Sequence, residues 1–185
     1  MKDKILYSAI ILVALGLMMM VFNNKDENRY TDELKEVKLN ELNRIYNKTE
    51  VSSLDTIYQK GLEILNIKNE TFLIVDINDS NFNKGFGEDF RIQGTVTKRP
   101  GNYYAIHTKV DDNKNMIKIA SHELIHIKQM VDNNLTYNND GVTFNNRFYK
   151  IPFKLKYRQL PWEKEAYKKA PDLLNKMRDS LLIKK

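Results

Sequence analysis

With 185 residues, no cysteine and a formal net charge of +6, the chain has room for one domain plus an extension. The missing cysteines exclude disulfides, thiolate-held metal sites, a cysteine nucleophile and a lipoprotein-type lipid anchor. The positive charge is concentrated in residues 146–185, where 12 Lys and Arg stand against 4 Asp and Glu. Such a segment suits an anionic envelope surface or a solvated lysine-rich face, and no nucleic-acid motif accompanies it, so no nucleic acid is expected as a partner.

In chain order, residues 5–22 come first, an uncharged run preceded by Lys2 and Lys4. Its 18 residues just suffice to cross a hydrocarbon core of about 30 Å. No small-residue cleavage site follows it, so residues 1–22 read as a transmembrane anchor in preference to a cleaved signal segment. Residues 23–30 are a polar linker, and 31–185 a single α+β domain. The Lys/Arg tally across the span is nearly even, but a short tail is easier to leave inside than a domain. A single-pass membrane protein with its domain outside the cytoplasm is therefore expected.

Thr31 is placed to cap a helix carrying Leu34, Val37, Leu42 and Ile45, and Ser52 or Ser53 a second with Leu54, Ile57, Tyr58, Leu62 and Leu65. Residues 71–77 are β-branched and aromatic, which predicts a buried strand, and 79–89 are Asn- and Gly-rich, which predicts a loop. Residues 90–98 and 103–110 alternate as strands across Arg99-Pro100-Gly101-Asn102, a turn sequence. A helix is predicted over 113–132, then a turn at 138–141 with short strands near Thr136 and over 142–144. Leu160-Pro161 opens a last helix, with proline in the first turn, where it is tolerated best.

The chemistry-bearing run is His122-Glu123-Leu124-Ile125-His126. Positions i and i+4 of a helix share a face, so both imidazoles can address one ion. A catalytic zinc binds neutral imidazole at about 2.0–2.1 Å and keeps one position open for water. Glu123, beside the first ligand, is placed to take a proton from that water. No Gly or Pro interrupts residues 111–135, and Ala120, Leu124, Ile127 and Val131 supply an apolar stripe behind the motif.

A catalytic site needs a third protein ligand. The other histidine, His107, lies upstream in a predicted strand, and the downstream alternative is the helix Pro161-Trp162-Glu163-Lys164-Glu165-Ala166. Glu163 and Glu165 point about 200° apart on a helix and cannot both face the ion. Glu165, one turn in and followed by small Ala166, is preferred; Glu163, suited to the helix dipole, is the alternative. Tyr157, Tyr167 and His107 are positional candidates for steadying an oxyanion, and Trp162 reads as an anchor for the last helix.

With these residues the chain resembles the gluzincin branch of the zincin metallopeptidases, in particular small bacterial and phage members with a P-W-E-x-E-A segment. The resemblance spans roughly residues 71–182. It implies a mixed or antiparallel sheet, an H-E-x-x-H helix, a C-terminal helix giving the glutamate ligand, and one Zn2+. It also implies an edge strand that pairs with an extended peptide. The metzincin extension is absent, since Asp132 stands six residues after His126 and no later histidine exists. The expected function is a membrane-anchored zinc metallopeptidase hydrolysing peptide bonds, with Glu123 as general base and a peptide or protein as substrate. The alternative is a membrane-tethered interaction module whose zinc site is structural or inactive.

Overall fold

The structure, a computed structural model, describes residues 43–76, 93–99, 103–110, 113–138, 140–151, 153 and 155–182. Residues 1–22, the linker 23–30, Leu34, Val37, Leu42 and the 79–89 loop lie outside the described residues. Among the described residues no helix is long and apolar enough to cross a membrane.

The described chain opens with β1 (Arg44–Asn47), followed by α1 (Ser53–Ile64) and β2 (Thr71–Asp76). A helix running through Ile45 is thus corrected to a strand. The cause is tertiary: residues 44–47 pair in parallel with 71–74. The Asn43 side chain fixes that register, donating to the Ile67 carbonyl at 2.6 Å and accepting from the Glu70 amide at 3.1 Å. Propensity is a weak prior, and a neighbouring strand overrides it. Ser52 is the N-cap residue of α1, but its side chain makes no capping hydrogen bond.

Two further strands, β3 (Gly94–Arg99) and β4 (Tyr103–Thr108), pair antiparallel, while residues 100–102 of the predicted turn lie outside the described residues. The sheet order is β1-β2-β4-β3, with β1, β2 and β4 parallel and β3 antiparallel at the edge. Phe72, Ile74, Tyr104 and Ile106 project into the main core, while Leu73, Tyr103 and Ala105 form a separate cluster on the other face. Successive strand residues alternate faces, and a layer covered on both sides takes apolar residues at every position.

Over the inner face lies α2 (Asn113–Val131), the helix expected at 113–132. From Ile119 to Met130 only His122 and Lys128 are not buried. The helix is enclosed between the sheet, α1 and α3 (Pro161–Leu182). Gly61 of α1 meets the Leu124 side chain of α2, so a larger residue there would force the two helices apart.

Between α2 and α3 runs a three-stranded antiparallel meander, β5 (Leu135–Asn138), β6 (Gly141–Phe144) and β7 (Arg147–Lys150). The first two strands match the sequence reading, and β7 is an addition to it. Asn145 and Asn146 link β6 to β7 with φ of 48° and 63°. Two successive left-handed residues are the signature of a tight hairpin turn whose twist suits its strands, and asparagine tolerates that region well.

Candidate metal centre

Helical spacing puts the first two ligand candidates on one face of α2. The Nε2 atoms of His122 and His126 are 3.2 Å apart. The third group comes from the first turn of α3. Glu163 sets Oε2 at 3.3 Å from His122 Nε2 and Oε1 at 3.3 Å from His126 Nε2. These three residues form the one group of potential ligands found among the described residues.

The preference for Glu165 is therefore corrected: the carboxylate that joins the two histidines is that of Glu163. Glu165 pairs instead with Lys169, one turn further along the outer face of α3. The reason lies in Trp162, 2% exposed and boxed by Phe144, Tyr149 and Phe153 at ring-centroid distances of 6.2, 5.6 and 5.4 Å. Seating Trp162 under the meander fixes the rotation of α3. The next residue, about 100° round, then faces α2, and Glu165, about 200° beyond it, faces away.

The triangle fits a metal by two observations. Ligand atoms about 2.0–2.1 Å from a tetrahedral zinc lie about 3.3 Å from one another; here the two imidazole Nε2 atoms are 3.2 Å apart, and each lies 3.3 Å from a different oxygen of the Glu163 carboxylate. Further, Glu163 is 2% exposed, and its buried Oε2 makes no hydrogen bond, only the 3.3 Å contact with His122 Nε2. A buried carboxylate is costly unless it is paired or coordinates a cation, which is the role this arrangement leaves open.

The electrostatics agree. Burial would raise Glu163, but contacts with the two imidazoles, the charge on His126 and the Tyr157 hydroxyl overcome it and hold the carboxyl at about 2. Burial would lower His126, yet the Glu163 carboxylate, the Glu123 charge and Gln129 together push it up to about 9. The His126–Glu163 pair thus favours its charged form, and a cation held there would compete with the proton on His126. Glu123, 5% exposed, is raised above its ordinary value by burial, with the nearby Glu163 charge adding to the rise and the histidines opposing it. A carboxyl moved upward in this way is better matched to taking and returning a proton near neutral pH.

The oxyanion candidates divide. Tyr157, in the 3-10 turn Tyr157–Gln159, is 46% exposed as a residue, but burial at its hydroxyl end and the nearby Glu163 charge raise its pKa well above the ordinary value. Tyr167 sits with its ring 4.6 Å from that of His122 and carries the Arg158 guanidinium 5.3 Å from its own centroid. His107 is not brought to the site. By alternation it shares the sheet face of Tyr103 and Ala105, turned away from α2, and burial and the Arg99 charge lower its pKa to about 4.

Two residues near the centre escaped the sequence reading. Gln129 hydrogen-bonds His126 Nδ1 at 2.8 Å, and its place three residues after the ligand on the same face was a usable signal. Tyr137 of β5 is raised by burial and by the charges of Glu163 and Glu123, a proximity that no spacing in the sequence announces.

Compared with protein-family models, with curated proteins and with solved structures, the chain matches none.

Proposed function

We propose that this chain is a zinc-dependent metallopeptidase of the zincin type, hydrolysing peptide bonds at the His122–His126–Glu163 centre. The observation that carries the reading is the convergence of two imidazole Nε2 atoms 3.2 Å apart on the Glu163 carboxylate, each 3.3 Å from one of its oxygens, beside a buried Glu123. Among the described residues the group has three members, the ligand number of a catalytic zinc site and one short of a structural one. Two imidazoles and a carboxylate also suit zinc better than calcium or magnesium, which take oxygen ligands.

When bound, the metal supplies a Lewis acid that acidifies water toward a pKa of about 7 and polarises a carbonyl. Glu123 accepts the proton of the attacking water and delivers it to the leaving amine nitrogen as the C–N bond breaks. The Tyr157 hydroxyl, near enough to Glu163 to lower its pKa, is the donor assigned to a developing oxyanion. The outer edge of β3 has no strand partner among the described residues, and Gly94 at its start lies against Glu123. An extended peptide pairing with that edge would run past the general base. Residues 1–22 are proposed to hold the domain at a membrane, outside the cytoplasm.

The test uses the full chain in detergent with one equivalent of zinc and a mixed peptide library. Wild type should cleave, and Glu123→Gln should keep its zinc while losing the base's contribution of about 10²–10⁴ in rate. A zinc-loaded wild type that leaves every peptide intact would favour the inactive, interaction-module reading. Glu123→Gln cleaving as fast as wild type would remove Glu123 from the mechanism.

A further inference from the structure

Gln129 is 3% exposed, and both polar ends of its side chain are engaged. Its Nε2 lies 3.1 Å from the backbone carbonyl of Trp162, and its Oε1 lies 2.8 Å from His126 Nδ1. These two contacts determine each other. A carbonyl oxygen only accepts, so the amide must present its NH2 to Trp162. That leaves Oε1 toward the imidazole, and since Oε1 also only accepts, His126 Nδ1 must carry the hydrogen. In the neutral ring the lone pair then sits on Nε2, the atom that faces His122 and Glu163.

We infer that Gln129 is a positioning residue for the metal centre, setting the His126 tautomer and tying the two ligand-bearing helices together. The tie is short. Trp162 immediately precedes Glu163, so one buried amide links the ring of one ligand to the backbone next to another. A shift of α3 against α2 would strain the Gln129 bridge as well as move the Glu163 carboxylate from the imidazoles. This inference rests on the metal-centre reading, and adds to it a residue that touches neither metal nor substrate.

The experiment measures Zn2+ affinity by chelator competition on the full chain, with circular dichroism of the metal-free form as a fold control. Gln129→Met keeps the length and removes both hydrogen bonds; Gln129→Asn is too short to reach Nδ1; Gln129→Glu keeps the acceptor for Nδ1. Loss of an orienting partner typically costs about 10–100-fold in metal affinity. Gln129→Met and Gln129→Asn should therefore fall by about that factor with unchanged metal-free spectra, while Gln129→Glu stays within about 10-fold of wild type. Should Gln129→Met fail to fold, the Asn and Glu variants carry the comparison. Wild-type affinity in Gln129→Asn, or equal losses in the Asn and Glu variants, would overturn the inference. Wild type that takes up no zinc would instead overturn the metal-centre reading beneath it.

Discussion

The two helices that carry the candidate ligands hold them in different ways. α2 is enclosed on nearly every side, and its two histidines are related by four residues of one continuous helix. α3 presents a lysine-rich outer face to solvent and delivers Glu163 from its first turn. The placement of His122 relative to His126 is thus covalent and local. The placement of Glu163 depends on how α3 is docked, and that depends on Trp162 and its three aromatic neighbours. The imidazole pair is a property of one segment, and the third ligand is a property of the fold.

The largest way to break that contrast is Trp162→Ala. Removing a fully buried tryptophan costs roughly 3–5 kcal/mol. Here it should also free the rotation of α3, so zinc affinity falls although no ligand is touched. Chemical denaturation followed by zinc titration would read both, and unaltered affinity in a folded variant would separate Trp162 from the site.

The next effect is in pH. In the metal-free protein His126 is raised from 6.5 to about 9, so its contribution to stability is complete below pH 6.5 and is lost as pH rises through about 9. Glu163 is lowered from 4.5 to about 2, so its contribution is complete above pH 4.5 and is lost as pH falls through about 2. The metal-free melting temperature should accordingly decline on the alkaline side, and bound zinc, which replaces the proton, should flatten that decline. Thermal melts with and without chelator between about pH 6 and about pH 10 test this, and a flat metal-free curve would contradict it.

Gly94→Ala probes the sheet side of α2. A Cβ there would lie 2.6 Å from Ile119 Cγ2 and 2.9 Å from Glu123 Oε1. Overpacking of this kind costs about 1–3 kcal/mol, and it should displace the base while sparing the ligand triangle. Turnover should fall with zinc stoichiometry intact; a variant as active as wild type would show that Glu123 tolerates the shift.

The smallest effect belongs to Glu165→Ala. Its ion pair with Lys169 is at the surface, and such pairs contribute about 0.3–0.5 kcal/mol. Zinc affinity should not change measurably.

The same contrast explains what could be read from the chain. α2 and its His122-Glu123-x-x-His126 face were legible because helical period alone relates them. The start of α3 was legible from Leu160-Pro161, and the sequence also excluded Glu163 and Glu165 from acting together. Which of them faces the two histidines was not legible, because the answer depends on Phe144, Tyr149 and Phe153 arriving from elsewhere to enclose Trp162. Ile45 was misread for a related reason, its strand existing only beside residues 71–74. β7 was missed although Asn145-Asn146 marks a tight hairpin, since Arg147-Phe148-Tyr149-Lys150 shows no clear alternation of its own.

The most direct test of the account is an equilibrium zinc titration of the full chain at neutral pH, comparing wild type with Glu163→Ala. Losing a ligand should exceed the cost of losing an orienting partner, so wild type should take up one ion and Glu163→Ala should bind it at least about 100-fold more weakly. Equal affinity in the two proteins, or a wild type that holds no zinc, would contradict the assignment of His122, His126 and Glu163 as a metal centre.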